Sequence, residues 1–475
     1  MTRVAILGAG VAGLGAAWRL LEIHPGWEVT VFEQGDRPGG LALTWHEGEF
    51  AADLGPHRIY TELPEIEALL PGLISREQTL IVPRVSQLLL EGHFYTYPVK
   101  PAELLRHAGP VRLAGLAASA MAAKLRWPGG KPRNFGEAMI AAFGRATYDL
   151  LLEPYARKVW KTPPREVSSE IARVRVSAGG IGQMARRVFN RKEQHGSPSA
   201  LNQFTYARGG VEELVKSLAT RVRRAGGRIM TSTRASGLIV AGGRVTQVRL
   251  SHSSESSSTI DADIVISTIP LTELADWLQP FIPDSESAQA AHDLAHIGLI
   301  LVGLEIRRRQ FSPNSWIYFP EENYIFNRAY EPRNFDESMA PPGRTMPIFE
   351  VTSRLNDAPW SRADADIAEN VKTGIVAAGL VNRDEIGQAF VRRIPHAYPL
   401  YTTRYRERLT TVCRYLRRFP NLVSTGRQGL FNHNNMDHSI LMGLRAAECA
   451  AANPGNAAQS WYDNLGQFSH FRIVD

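Results

Sequence analysis

The feature that most constrains this chain is a glycine-rich turn between an apolar segment and a segment of small residues, at positions 4–17. Its glycines, Gly8, Gly10 and Gly13, have G-x-G-x-x-G spacing, which predicts a strand, a tight turn and a helix. Gly8 permits the turn, Gly10 lets the backbone approach a pyrophosphate, and Gly13 allows close packing of helix against strand. The helix N-terminus presents free N–H groups to the phosphates. The turn therefore predicts a Rossmann-like α/β domain that binds a dinucleotide.

A second apolar segment, residues 28–32, ends in Glu33, about 20 residues after the glycines, where an acid binds the ribose of a dinucleotide. A further glycine pair follows at once in residues 37–40, and then comes Asp53-Leu54-Gly55-Pro56-His57. This arrangement resembles FAD-binding proteins of the glutathione-reductase type, in their amine-oxidase-like branch. The resemblance implies tightly bound FAD and not a dissociating NAD.

Composition limits the classes of function. The 475 residues, 44% of them hydrophobic, suffice for a large core and for two or three domains. The net charge is +7, but the basic residues are spread out and their longest run is Arg307-Arg308-Arg309. This distribution favours an anion-binding cleft over nucleic-acid binding.

Cysteine usage and hydropathy bear on location. Cys413 and Cys449 lie far apart without metal-ligand spacing, as expected in a reducing cytosol. The chain enters a strand at once, so we expect no signal peptide. Apolar residues 113–123 are too short to span a membrane and predict a buried or surface-lying helix. We therefore expect a cytoplasmic protein without a membrane span, and its oligomeric state stays open.

Hydrophobic periodicity divides the chain into helical and strand-rich parts. Residues 101–191 have helical spacing, whereas residues 297–351 alternate as strands. Residues 80–98 predict a small hairpin, and the serine-rich residues 252–259 predict a solvated hairpin tip. The predicted fold class is α/β, with a discontinuous Rossmann-like FAD-binding domain, an inserted helical layer and an antiparallel-sheet substrate domain. The predicted ranges are 1–75, 200–275 and 405–460 for the FAD-binding domain, 76–199 for the helical substrate or cap domain, 276–404 for the sheet domain and 461–475 for a C-terminal tail.

A narrower resemblance rests on patches distributed from end to end of the chain. They are residues 316–328, Lys158-Val159-Trp160, Tyr206-Ala207-Arg208-Gly209-Gly210, Gly55-Pro56-His57, Gly426-Arg427-Gln428-Gly429 and Asn435-Met436-Asp437-His438-Ser439. These patches are similar to UDP-galactopyranose mutases, the eukaryotic kind especially. Several are shared with protoporphyrinogen oxidases and amine oxidases. The resemblance implies a pyranose–furanose mutase for a nucleotide-diphosphate sugar, in which N5 of reduced FAD attacks the anomeric carbon and NAD(P)H is a candidate reductant.

The resemblance also implies roles for individual residues. Arg328 and Arg175 stand where the family keeps arginines that clamp the substrate diphosphate, and a planar guanidinium suits that task. His57 stands beneath the isoalloxazine and completes the predicted catalytic set. The predicted substrate-binding residues are Tyr398, Tyr97, Trp160, Tyr318, His433 and Asn432. The predicted FAD-binding residues are Gly8, Gly10, Gly13, Glu33, Arg37, Gly39, Gly40, Gly55, His57, Gly426, Arg427, Asn435, Met436, Asp437 and Ser439.

Simpler interpretations stay open for these residues. The arginines could be surface residues, Tyr398 a core tyrosine and His57 a satisfied histidine at a turn. The polar cluster at residues 433–438 predicts helix capping and N–H groups aimed at the flavin, and not a metal site.

The chain also departs from the mutase pattern. Asn432 and His433 occupy the region of the family's second diphosphate tyrosine, and no segment matches the uracil site. Two other classes therefore remain open. One is an FAD-dependent oxidase or dehydrogenase of the amine oxidase or protoporphyrinogen oxidase type, and the other is an FAD-bearing scaffold for an anionic partner.

Overall fold

The computed structural model describes residues 1–97, 99–126, 132–175, 203–252, 257–282, 285–469 and 471. Its first layer is a five-stranded parallel sheet, which we call the nucleotide sheet. In spatial order its strands are Leu422–Ser424, Ile264–Ser267, Arg3–Leu7, Glu28–Phe32 and Arg228–Met230. The strands come from three distant parts of the sequence, so the layer is discontinuous in the chain, as predicted.

The glycine turn has the predicted strand–turn–helix form. It joins Arg3–Leu7 to the helix Val11–Ile23. Gly8 has φ +98°, a conformation that residues with a Cβ rarely adopt. A Cβ on Gly13 would lie 2.0 Å from the carbonyl oxygen of Gly8, so the helix sits too close to the turn for any other residue.

The helix Val11–Ile23 packs against the long helix Met436–Ala452 near the C-terminus. The two backbones approach closely, since a Cβ on Gly443 would lie 2.1 Å from the carbonyl oxygen of Ala12. This contact holds the helix Met436–Ala452 against the first helix and brings both N-termini to the same side of the nucleotide sheet.

The second large layer is a seven-stranded mixed sheet, which we call the substrate sheet. In spatial order its strands are Ile386–Pro399, His296–Ile306, Ile348–Ser353, Arg328–Tyr330, Trp316–Tyr318, Ser86–Leu90 and His93–Thr96. The sequence did not indicate the 14-residue strand Ile386–Pro399, because Arg392, Arg393 and Pro395 interrupt its apolar alternation. It forms by pairing along His296–Ile306.

Two local expectations were right only in part. Thr79–Pro83 pairs with Gln203–Ala207 and not with the neighbouring hairpin, which Ser86–Leu90 and His93–Thr96 form by themselves. The predicted hairpin tip at 252–259 is in part a strand, because Ser257–Asp261 is the third strand of a sheet with Thr233–Ala241 and Arg244–His252. Thr79–Pro83 obtains its backbone hydrogen bonds from a partner distant in sequence, whereas Ser257–Asp261 pairs with the neighbouring strand Arg244–His252. The remaining strand pair is Thr44–Glu47 with Phe50–Asp53.

Helices cover the sheets and make up most of the described residues between 101 and 175. Part of the predicted helical range, residues 127–131 and 176–191, lies outside the described residues. Within the described part of the chain, no helix combines the length and the apolarity needed to cross a bilayer. The described α-helices of seven residues or more are Val11–Ile23, Pro64–Leu73, Pro101–Arg126, Phe135–Phe143, Glu153–Trp160, Ser169–Arg175, Glu212–Arg224, Leu271–Leu278, Ser285–His292, Asp364–Ala377, Tyr405–Leu416, Met436–Ala452 and Ala457–Asp463.

Candidate functional site

A cavity of about 820 Å³ is lined by residues of both large sheets. At one end lie the glycine turn and the carboxyl ends of the nucleotide-sheet strands, where open α/β sheets bind ligands. The substrate sheet closes the other end. The predicted site residues that line this cavity are Gly8, Gly10, Glu33, Arg37, Gly39, Gly40, Gly55, His57, Arg328, Tyr398, Gly426, Arg427, Asn435, Met436 and Ser439.

Two helix N-termini face the cavity. Gly10 is the N-cap of Val11–Ile23 and Asn435 is the N-cap of Met436–Ala452, and both line the cavity. Asn435 forms a capping box with His438, whose Nδ1 accepts from the Asn435 amide at 3.2 Å. Unpaired N–H groups and the positive ends of two helix dipoles therefore favour an anion here.

Glu33 connects the glycine turn to the loop after the second strand. Its Oε2 accepts from the Ala9 amide and its Oε1 from the Gly35 amide, each at 2.9 Å. The carboxylate is thus held at the cavity wall by the backbone on both sides, and its contact with a ribose stays a prediction.

Arg37 is held at the edge of the same cavity. One of its amino groups donates to the carbonyl oxygen of Thr44 at 2.8 Å, and the other lies 3.2 Å from the buried carboxylate of Glu212. These contacts tie the second glycine pair to the helix Glu212–Arg224, and so they fix the loop that follows Glu33.

His57 is neutral at physiological pH. Burial, together with the nearby cations of Arg427 and Arg328, lowers its pKa to about 4. Its Nδ1 is buried and has no hydrogen-bond partner among the described residues. A neutral imidazole can donate through one ring nitrogen and accept through the other, so this atom is suited to a ligand in the cavity.

Arg328 and Glu350 form a buried cross-strand ion pair. They lie directly opposite each other on the adjacent strands Arg328–Tyr330 and Ile348–Ser353. The Arg328 Nε donates to Oε2 at 2.9 Å and Nη2 donates to Oε1 at 2.8 Å. Burial opposes the charge, but the Glu350 carboxylate outweighs that effect and raises the pKa of Arg328.

The pair leaves one guanidinium nitrogen of Arg328, Nη1, unbound by Glu350. Nη1 has no hydrogen-bond partner among the residues that the structure describes, and the side chain is 19% exposed. The guanidinium is therefore oriented by Glu350 on two nitrogens and can donate to a ligand through the third.

Aromatic rings surround the Arg328 end of the cavity. The Arg427 guanidinium lies 5.6 Å from the centre of the Tyr398 ring, and its amino groups donate to the carbonyl oxygens of Asn434 and Ala397. The Trp160 ring contacts Tyr398 edge-on, with 6.4 Å between ring centres, and the His433 ring stacks on Tyr398, with 6.2 Å between ring centres. This packing fixes the place of Tyr398 in the wall.

A second aromatic group contains Tyr97, Tyr318 and Tyr155. The Tyr318 ring lies 4.9 Å from Tyr97 and 5.9 Å from Tyr155. Burial, with Tyr318 adding to it, raises the pKa of Tyr155, so its hydroxyl stays protonated. Sequence reasoning missed Tyr155, although it lies one helical turn before the predicted Trp160.

The other predicted site residues lie around the cavity lining. Gly13 serves the helix–turn packing, Asp437 is buried in the first turn of the helix Met436–Ala452, and the Asn432 amide donates to the carbonyl oxygen of Arg427 at 2.9 Å. His433 is buried and its Nε2 is 2.6 Å from the carbonyl oxygen of Pro399. Arg175 ends the helix Ser169–Arg175, and its side chain lies outside the described part, so its role stays a prediction.

The sequence analysis assigned no role to two buried acids, although it named one of them, Asp53, in a motif. Glu350 is the partner of Arg328, and Asp53 accepts from the hydroxyls of Thr44 at 2.7 Å and Tyr206 at 2.6 Å. Burial raises the pKa of Asp53 to about 6, although these hydrogen bonds oppose that shift. The signal was present in the sequence, because each acid is a single charge inside an apolar strand.

A family model described as flavin containing amine oxidoreductase matches residues 11–450. The chain is 23% identical to coproporphyrinogen III oxidase of Staphylococcus aureus over 301 residues, which are 58% of this chain and 62% of that protein. It is also 23% identical to phytoene desaturase (lycopene-forming) of Pseudescherichia vulneris over 406 residues, 78% of this chain and 81% of that protein.

Solved structures are similar over the whole chain. Reduced UDP-galactopyranose mutase has a TM-score of 0.81 at 21% identity, with all of both chains covered. A redesigned putrescine oxidase has a TM-score of 0.60 at 16% identity, covering 95% of this chain and 99% of that one. These likenesses confirm the predicted fold class, and at such identities they show the fold alone.

Proposed function

The chain belongs to the family of flavin-containing amine oxidoreductases, and from this premise we propose that it is a pyranose–furanose mutase for a nucleotide-diphosphate sugar. The observation that carries the proposal is the orientation of Arg328. Glu350 holds two of its guanidinium nitrogens, and Arg328 lines the cavity. A fixed cation beside a cavity is suited to a diphosphate that departs with negative charge.

Family membership implies FAD as the cofactor. The residues of the cavity fit this group, because its volume of about 820 Å³ lies in the range of ligand sites and two helix N-termini face it. We infer that the N-terminus of Val11–Ile23 holds the pyrophosphate, that the N-terminus of Met436–Ala452 faces the flavin, that Glu33 holds a ribose and that His57 Nδ1 contacts the flavin. Reduced flavin would supply a nucleophilic nitrogen for the anomeric carbon of the sugar.

The charge of the cavity suits an anionic substrate as well as an anionic cofactor. Its lining contains more arginines than carboxylates, although some of these arginines bind neighbouring acids. The excess lowers the cost of bringing two diphosphates, one from cofactor and one from substrate, into one cavity. The arginines are Arg37, Arg58, Arg234, Arg328, Arg392, Arg393 and Arg427, and the acids are Glu33, Asp36 and Glu273.

The chain's own residues would bind and orient the substrate. Arg328 neutralises the diphosphate, and the Tyr398 hydroxyl donates to it beside the Arg427 guanidinium. The rings of Trp160 and His433 pack on Tyr398 and keep water from this end of the cavity. His57 is neutral at physiological pH, so in this proposal it orients groups and carries no charge.

The second candidate is an FAD-dependent oxidoreductase. The observation that favours it is that the relatives in sequence are oxidases and a desaturase, with matches over more than half of this chain. An oxidase transfers electrons from its substrate to oxygen. In a mutase the flavin regains the electron pair that it shares with the sugar, so the redox state of the cofactor does not change. Net transfer of electrons from the substrate to the flavin therefore separates the two candidates.

The test is turnover of a nucleotide sugar by anaerobically reduced protein. UDP-galactofuranose is incubated with the holoenzyme and the product UDP-galactopyranose is separated by liquid chromatography. Arg328→Ala is expected to lower kcat/KM by about 100-fold or more, the usual loss on removing one donor to a developing anion. Arg309→Ala is the matched control, because Arg309 also binds a glutamate but is exposed.

The outcome decides between the candidates. Conversion that requires prior reduction and collapses in Arg328→Ala supports the mutase. Full turnover by Arg328→Ala contradicts the proposed role of this residue. Peroxide formation from an amine or another reduced substrate, with no conversion of any nucleotide sugar, moves the assignment to the oxidoreductase.

A further inference from the structure

The helix Pro101–Arg126 contains a break that separates its second half. Gly109 has φ +78° and ψ +166°, which are not helical, so residues 110–126 form a segment that we call the outer helix. Its inner face packs on the helix Phe135–Phe143 and on the turn after it. Ala120 and Ala123 are buried there, and a Cβ on Gly144 would lie 2.6 Å from the Ala120 nitrogen.

The opposite face of the outer helix is also apolar, yet it is exposed. Val111, Met121 and Leu125 are 86%, 65% and 83% exposed, respectively. The exposed residues Ala114 and Ala118 lie between them at helical spacing, so the five form one stripe along the helix. A helix that is apolar on both sides is normally buried on both, so this stripe indicates a missing apolar neighbour.

The charges of the outer helix restrict that neighbour. Residues 110–126 contain no Asp or Glu, and their charged residues are Arg112, Lys124 and Arg126. Arg112 binds Glu91 at 2.7 Å, whereas Lys124 and Arg126 are exposed beside the stripe. The surface is apolar with a positive border, and an anionic neighbour complements it.

A second copy of the chain suits this surface poorly. A helix of this length is roughly 25 Å long and about 10 Å wide, so pairing would bury about 250 Å² on each copy. Stable interfaces bury about 800 Å² on each partner. Two copies would also bring like charges together, because the border contains only basic residues.

A bilayer with anionic lipids satisfies both requirements. An amphipathic helix that lies in the interface places its apolar side chains at the boundary of the acyl region and its basic side chains among the headgroups. Long Lys and Arg side chains reach the headgroups while their stems cover apolar surface. Each basic residue near such a surface adds to the electrostatic attraction between the protein and the anionic lipid, and salt weakens this attraction.

We propose that the outer helix binds this protein to the surface of an anionic lipid bilayer, with Val111, Met121 and Leu125 in the interface and Lys124 and Arg126 at the headgroups. The helix lies in the plane of the membrane and does not cross it. The proposal is independent of the reaction that the cavity supports.

The test is co-sedimentation of the holoenzyme with vesicles. Vesicles of phosphatidylcholine with about 30% phosphatidylglycerol are compared with vesicles of phosphatidylcholine alone. The protein is expected to sediment with the anionic vesicles and to be released as salt is raised. The double variant Met121→Glu/Leu125→Glu is expected to bind at least about tenfold more weakly, because it loses apolar contact and gains charge repelled by the lipid.

Controls separate this proposal from its alternatives. Phe281→Glu introduces one negative charge at another exposed apolar side chain, 43% exposed, and is expected to bind like the wild type. All variants must retain their flavin absorbance, which shows that they are folded. Wild-type protein that ignores anionic vesicles, or a double variant that binds equally well, overturns the proposal. A dimer in light scattering without lipid that the double variant dissociates would assign the face to a second copy instead.

Discussion

Replacing Glu350 with alanine is expected to destabilise the protein by about 3–5 kcal/mol, because the substitution leaves the buried Arg328 cation without its partner. The structure supports this magnitude. The pair has two charge-assisted hydrogen bonds of 2.9 and 2.8 Å, and such bonds contribute about 1.5–3 kcal/mol each. The Glu350 side chain is 1% exposed and that of Arg328 is 19% exposed, so water replaces little of what is lost.

The assay is a double-mutant cycle in urea. Free energies of unfolding are measured for the wild type, Glu350→Ala, Arg328→Ala and the double variant, all at equal FAD occupancy. The double variant is expected to be less destabilised than the sum of the single variants, since it removes both charges together. The difference is the coupling energy of the pair.

A surface pair in the same chain provides the control. Arg309 and Glu337 lie 3.0 Å apart with both side chains 75% exposed, and such pairs contribute about 0–1 kcal/mol. A buried pair whose coupling energy is no larger than that of Arg309 and Glu337 would refute the reasoning. Glu350→Ala should also raise KM for the nucleotide sugar, because Arg328 is no longer held at the cavity.

Two further predictions concern the nucleotide-binding part. Gly443→Ala is expected to lower the free energy of unfolding by about 1–3 kcal/mol and to weaken flavin retention, because the new Cβ would clash with the Ala12 carbonyl oxygen. A Cβ at Gly115 would have no neighbour within 4 Å, so Gly115→Ala is expected to raise the free energy of unfolding by about 0.5–1 kcal/mol. Thermal unfolding compares the two variants. His57 has a pKa lowered to about 4, below its unfolded value near 6.5, so the wild type loses up to about 3 kcal/mol as pH falls through that window. His57→Asn should lack this loss in urea unfolding at several pH values, and parallel pH profiles of the two proteins would contradict the assignment.

Local sequence was sufficient for the dinucleotide-binding turn. Gly8, Gly10 and Gly13 are close in sequence, and the strand and helix on either side form from residues within a few turns of them. The turn geometry depends on backbone φ and on the space at a missing Cβ, and both are properties of the glycine itself. Glu33 could be placed at the cavity in a similar way, because it follows the glycine turn at a fixed distance along the chain.

Tertiary structure decided how the rest of the cavity is built. Arg328 was predicted from the sequence, but its partner Glu350 is determined by the register between two strands. Tyr206 donates to Asp53 across 153 positions of sequence, and the strand Ile386–Pro399 exists because it pairs with His296–Ile306. A local pattern specifies which residues are apolar, whereas a buried charge or an unpaired strand edge is satisfied by a partner that only folding brings near, and for that reason these contacts could not be read from the sequence.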